Sequence, residues 1–263
     1  MNILYVTSFT REMYVKTGLH LVSSFLETSS DGTLLVCHEG GLADGLPGPS
    51  GRLTEYNLDR SAFLREWLAA HRDIIPPALG GTARPCDCDR AIETRYVHRT
   101  DCTFHWFNRN ASRWFRKIVS LEVALSHIAC DAIVWIDSDC RFTNRLPSSV
   151  FAELFEDVSV LYHKSPDRAV IESGVIAFKR DAGGHKVLTS VIDRFRTGTF
   201  RRDVRWDDGY QFQVVIDACP DVVSKDLGRR GPAEEGWHVL PSSPLGAYLT
   251  HFKGVHTEMG LMG

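Results

Sequence analysis

Ala132-Ile133-Val134-Trp135-Ile136-Asp137-Ser138-Asp139 is the stretch on which the reading turns: five apolar residues run unbroken into two acids separated by one serine. A short continuous apolar run suits a strand buried on both faces. The acids then stand at its C-terminal end, and open α/β sheets bind ligands in the crevice beyond such ends. If the chain turns there, both carboxylates can meet one ligand. A hard divalent cation is the natural guest, because magnesium or manganese takes carboxylate oxygens and leaves positions for phosphate oxygens and water. Two solvated turn acids are the plain alternative.

Outward from this strand, apolar runs and helical stripes alternate. Asn2 to Thr7 reads as a buried strand, and Leu19, Val22, Phe25 and Leu26 recur at helical spacing. Leu34 to Cys37 gives a second strand, and the Gly/Pro-rich stretch from Gly40 to Gly51 gives a loop. Phe63, Trp67 and Leu68 share a helix face with Asn57 or Asp59 as the expected N-cap. Residues 76 to 105 lack a sustained period and read as a long irregular excursion. From Asn110 a helix carries Trp114, Ile118, Leu121, Leu125 and Ile128 on one stripe, with Arg113 and Lys117 on another face. After the acids come strands at Ser159 to His163 and Ile171 to Phe178, a helix from about Gly184 to Arg196, and a helix opening near Asp208. Strands alternating with helices predict an α/β fold.

A net charge of -3, from 30 basic and 33 acidic residues, excludes nucleic acid as the main partner, since no strong positive field is available to collect phosphates. No window approaches the roughly 20 apolar residues of a membrane span. Met1 to Thr10 shows none of the serial regions of a secretory signal. Seven cysteines, an odd number, fit a reduced cytoplasmic protein better than a disulfide framework. Cys37, Cys130, Cys140 and Cys219 lie in or beside apolar stretches and read as small hydrophobes. Cys86, Cys88, His98, Cys102 and His105 hold the groups of a tetrahedral zinc site at a spacing of no standard module, so ordinary loop residues are the leading reading.

The segment Val134-Trp135-Ile136-Asp137-Ser138-Asp139 resembles the Asp-x-Asp strand end of GT-A glycosyltransferases. Thr7-Ser8-Phe9 with Tyr14 and Gly18 is similar to the nucleotide-binding start of small GT-A enzymes of bacteria and large DNA viruses. Phe115-Arg116-Lys117, Glu172-Ser173-Gly174, Trp206-Asp207-Asp208 and His251-Phe252-Lys253-Gly254 complete the pattern, so the resemblance spans nearly the whole chain. It implies a Rossmann-like mixed sheet with helices on both faces. It also implies one catalytic domain over residues 1–263, with a nucleotide-binding half at 1–140 and an acceptor-binding half with a closing C-terminal segment at 141–263.

The implied activity is metal-dependent transfer of a sugar from a nucleoside-diphosphate sugar, UDP-linked by expectation, to a carbohydrate or other hydroxyl-bearing acceptor. Asp137 is then expected at the ribose or metal, Asp139 as principal metal ligand, and His251 as a third ligand; an imidazole suits manganese better than magnesium. Thr7 and Ser8 are expected at the base, and Ser138, Arg113, Lys117, Lys253 and His256 around the diphosphate. An inverting transfer needs a carboxylate near the acceptor. Asp208 is the first candidate, with Asp207 beside it, although both acids equally suit N-capping. Glu172 is the second candidate base, or a ligand for the donor sugar.

A sugar-1-phosphate nucleotidyltransferase would use a similar fold and metal, but Thr7 to Lys16 lacks the glycines of its phosphate loop. A glycoside hydrolase leaves the Asp-x-Asp and His-x-x-Gly patterns unexplained. A non-catalytic carbohydrate-binding protein with a degenerate site is the reading outside enzymes.

Overall fold

The computed structural model describes residues 1–42, 45–47, 51–75, 80–82, 110–127, 129–164, 170–228 and 240–252. Its large sheet has seven strands in the order β3-β2-β1-β4-β7-β6-β8. They are β1 (Ile3–Thr10), β2 (Thr33–Glu39), β3 (Leu53–Asn57), β4 (Ala132–Ile136), β6 (Val160–Lys164), β7 (Ile171–Lys179) and β8 (Ser224–Asp226). Strands β3, β2, β1 and β4 are mutually parallel, and β7 runs antiparallel to both β4 and β6. A second sheet pairs only β5 (Cys140–Phe142) with β9 (Leu249–His251).

The strand residues alternate between two cores, as period-two side chains must. Leu4, Val6, Leu35, Ile133 and Trp135 face one core with α3 (Ala62–Ala70), α4 (Ala111–His127), α6 (Ala182–Arg196) and α7 (Asp208–Asp217). Ile3, Tyr5, Val36, Val134 and Ile136 face the other, with α2 (Leu19–Glu27) and α5 (Ser148–Leu154). Helices on both faces of a mixed sheet match the expected class. On the first face Phe115 of α4 stacks on Trp67 of α3 at 4.1 Å and lies 5.7 Å from Phe195 of α6. These rings lock α4 in place over the sheet, which fixes where its polar residues emerge.

Several local expectations change. The helix carrying Phe63 and Trp67 is capped by Ser61, whose hydroxyl accepts from the Leu64 amide, while Asn57 caps only the short turn Leu58–Arg60. The buried side of α4 runs through Ala111, Phe115, Ile118, Val119 and Leu121; Trp114 and Leu125 are only half-buried, because the helix lies between the sheet and its neighbours α3, α6 and α7, and Ile128 lies outside the described residues. Strand β3, the short strands β5, β8 and β9, and helix α5 lack a periodic signature long enough to read. Between α1 (Arg11–Met13) and α2 the backbone takes a π-helical turn over Tyr14–Gly18. There Gly18 lies so close to Phe9 that a Cβ would meet its ring at 2.8 Å.

Candidate active site

Strand order reverses at β1: β2 and β3 extend on one side of it and β4 on the other. The crevice at such a switch, beyond the carboxyl ends of β1 and β4, is where open α/β sheets hold ligands. Ser8 is half-buried there, whereas Thr7 is fully buried on the opposite side of the strand and its hydroxyl has no partner among the described residues. Ser138 Oγ lies 3.3 Å from Thr17 Oγ1 of the π turn, joining the acidic turn to the helix that follows β1.

Strand β7 enters the same crevice from the other direction. Val175 pairs with Ile136, and the Asp137 amide donates to the Gly174 carbonyl at 2.8 Å, so Glu172-Ser173-Gly174 flanks the acidic turn. Lys117 reaches this place from α4. Its ammonium lies 3.0 Å from Asp137 Oδ1, pairs with Asp208 Oδ2, and donates to the Ser173 carbonyl at 2.8 Å. Ser173 Oγ donates to Asp208 at 2.7 Å, and Trp135 Nε1 donates to Asp137 Oδ1 at 2.6 Å. Burial alone pulls the Lys117 ammonium down, but Asp137 and Asp208 outweigh it and hold the group above its ordinary value. The lysine is therefore a fixed positive charge between two carboxylates. Its neighbour Arg116 instead pairs with Glu39 of β2. Arg113, expected to share the face of Lys117, is exposed, with its guanidinium 5.6 Å from the Trp114 ring.

A second cluster adjoins the first. Asp139 Oδ1 lies 3.0 Å from His251 Nε2, and a carboxylate oxygen of Asp139, the thiol of Cys140 and a ring nitrogen of His251 all lie within 4.8 Å of one another. A carboxylate, an imidazole and a thiol at that separation fit a divalent cation. Burial alone would lower the His251 imidazole; its hydrogen bond to Asp139 and the charges of Asp139, Asp137 and Glu172 raise it instead. Burial, reinforced by Asp139 and Asp137, holds the Cys140 thiol well above its ordinary value. Asp137 is not one of these three groups, and its Oδ1 is engaged by Lys117 and Trp135. His163 of β6 lies nearby, buried, with Nδ1 3.2 Å from the Val175 carbonyl and Nε2 without a partner among the described residues. Burial lowers its pKa.

The three candidate acids differ in environment. Asp207 caps α7 by accepting from the Tyr210 amide, and Arg205 grips it through two contacts of 2.8 and 3.0 Å. Burial pushes the Asp207 carboxyl up against the pull of Arg205. Asp208 is 4% exposed and already holds Lys117 and Ser173. Glu172 is half-buried on β7. Lys253, Gly254 and His256 lie outside the described residues, as do Cys86, Cys88, His98, Cys102 and His105. Sequence reasoning assigned no role to Ser173 and took Cys140 as a hydrophobe. The register of β5 on β9 was the missing signal for Cys140, and three-residue strands carry too little pattern to reveal it.

No family model and no curated protein matches the chain. Among solved structures, it aligns with a glycosyltransferase involved in the glycosylation of the major capsid of PBCV-1, at 12% identity over 100% of both chains with a TM-score of 0.50. Mouse xyloside xylosyltransferase 1 aligns at 9% identity over 86% of this chain and 85% of that one, with a TM-score of 0.49. A variant of LgtC aligns at 11% identity over 95% and 87%, also with a TM-score of 0.49. In architecture, with its seven-stranded mixed sheet and helices on both faces, the chain has the GT-A fold.

Proposed function

We propose that the chain is a metal-dependent glycosyltransferase, moving a sugar from a nucleoside-diphosphate sugar, UDP-linked on this reading, to a carbohydrate or other hydroxyl-bearing acceptor. One observation carries the reading: in a GT-A fold, Asp139 and His251, far apart in sequence, come to 3.0 Å of each other beside the Asp137–Lys117–Asp208 cluster at the carboxyl end of β4. Asp139 and His251 would hold manganese or magnesium, which when bound supplies positive charge to the departing diphosphate.

The chain's own groups divide the remaining work. Ser8 is assigned to the nucleoside and Ser138 to the diphosphate, with Thr7 backing β1 from within. Asp137, held by Lys117 and Trp135, presents its other oxygen to the ribose or the cation. Residues 1–140 supply the donor side and 141–263 the acceptor side. An acceptor hydroxyl needs a carboxylate within reach to take its proton. Asp208 is already engaged by Lys117 and Ser173, so its role in this proposal is to position Lys117. The half-buried Glu172 is the base of an inverting transfer.

Calorimetry with UDP and other nucleoside diphosphates, in manganese and in excess chelator, tests the reading, followed by nucleotide release from a panel of nucleotide sugars. Cation-dependent binding and acceptor-dependent release are expected. Equal binding in chelator overturns the metal assignment, and an absence of release with every donor overturns the activity.

A further inference from the structure

Cys140 is the residue of this site that neither the Asp-x-Asp triplet nor the histidine motif explains. It opens β5, and the register sets it directly opposite His251 of β9. Residues directly opposed in an antiparallel pair project from the same side, with Cβ atoms about 4.5–5.5 Å apart. The two-stranded sheet thus brings thiol and imidazole together by backbone pairing. The Phe252 amide donates to the Asp139 carbonyl at 2.9 Å and continues the pairing past the site. Both side chains are buried, and Asp139 completes a set whose donor atoms all lie within 4.8 Å. As a small core residue Cys140 needs only to fill space, which alanine or valine would do as well. A thiol facing an imidazole and a carboxylate is also a ligand.

We propose that Cys140 is a protein ligand, and that Asp139, Cys140 and His251 together bind a zinc-class ion, zinc or cobalt(II), without any nucleotide. This rests on the reading of Asp139 and His251 as the metal site and deepens it. One thiolate, one imidazole and one carboxylate make a three-ligand set with an open fourth position. Sulfur and imidazole favour zinc and cobalt over magnesium and manganese, which prefer an all-oxygen shell. The hard cation of the proposed transfer therefore leans on the oxygens of the diphosphate, while a zinc-class ion needs only the protein. On binding, the Cys140 S–H bond breaks, a sulfur–metal bond forms in place of one metal-bound water, and the proton leaves to solvent.

Cobalt(II) added to the metal-free full-length protein without nucleotide is the test. A sulfur-to-cobalt charge-transfer band is expected at one equivalent. It should disappear in Cys140→Ser and persist when Cys86, Cys88 and Cys102 are all replaced by serine. The affinity of Cys140→Ser for cobalt should fall by at least the about 10–100-fold that loss of an outer-shell partner costs. Cobalt bound without the band, or a band lost only in the triple serine variant, overturns the proposal. Should Cys140→Ser fail to fold, X-ray absorption of zinc bound to the triple serine variant decides: one sulfur at about 2.3 Å is expected, and a shell of nitrogen and oxygen alone refutes it. Manganese-dependent UDP binding, measured on the same wild-type preparation, reports separately on the transferase reading. Its absence overturns that reading while the sulfur band stands or falls by itself.

Discussion

Gly174 faces His251 so closely that a Cβ on it would come within 2.4 Å of Cε1 and 2.7 Å of Nδ1. The imidazole cannot yield without leaving Asp139, to which its Nε2 is held at 3.0 Å. Glycine at 174 is thus a condition for the geometry of the cluster. Gly174→Ala should cost about 1–3 kcal/mol of stability as overpacking. It should also weaken cation-dependent UDP binding by about 10–100-fold, the scale of a displaced supporting group. Urea denaturation and calorimetry on one preparation check both. Unchanged binding would show that His251 does not depend on this contact.

Lys117 lies between two carboxylates with little water around it, and removing one partner of a buried pair leaves uncompensated charge. Lys117→Met should cost about 3–5 kcal/mol in denaturant unfolding. Part of that loss should return in Lys117→Met with Asp208→Asn, because the two residues touch and their effects cannot add. Strict additivity of the two changes would mean that the pair contributes nothing as a pair.

Asp139→Ala takes the carboxylate partner from the buried His251, so the stability of the ligand-free variant is measured first and its response to ligand is read against that baseline. UDP with manganese should raise the melting temperature of the wild type and leave that of the variant where it was, since only a ligand with affinity for the native state stabilises it. Equal shifts in both proteins would remove Asp139 from the metal site.

Glu172→Gln and Asp208→Asn separate the two candidate bases. If Glu172 takes the acceptor proton, Glu172→Gln should lose turnover by about 10²–10⁴ with donor affinity little changed. Asp208→Asn should instead lose stability through the stranded Lys117. NMR of the product anomer reports inversion. The reverse pattern, with turnover lost and stability kept in Asp208→Asn, would restore Asp208 as the base.

Acid should destabilise the protein through His163. Its folded imidazole is held below the ordinary value by burial, so the unfolded chain takes a proton first. Stability is therefore lost as the pH falls through about 6.5 toward the lowered folded value. His251 has the opposite sign: its folded value is raised, so its contribution is present at low pH and lost as the pH rises through that value. In chelator, His163→Gln should flatten the acid-side loss seen in the wild type by urea denaturation. Identical slopes between about pH 5 and 7 would show that His163 is not protonated on unfolding in that window.

The large sheet is legible because its central strands carry unbroken apolar runs: the run Ala132 to Ile136 has the bounds of β4, and its acids lie where the strand end predicts. Helix α6 came within two residues at its start because Asp181 caps it where the apolar period begins. What stayed hidden depends on contacts far apart in sequence. Lys117 and Arg113 look alike on a helical wheel, and only the packing of Phe115 against Trp67 decides that the lysine goes inside. Asp208 reads as an exposed acid at a helix start, yet Lys117 makes its burial tolerable. The partners of Ser173 come from α4 and α7, which no local pattern announces.

The pairing of β5 with β9 also orders events on the ribosome. Synthesis runs from the N-terminus at about 5–20 residues per second. The last strand of the large sheet, β8, ends at Asp226, and His251 follows only afterwards. A nascent chain can thus hold every strand of that sheet while Asp139 and Cys140 still lack their imidazole. On the proposed assignment the ion site is therefore completed only after the described strands of the large sheet have been made, and a chain cut between Asp226 and Leu249 keeps those strands while parting the proposed donors Asp139 and Cys140 from His251.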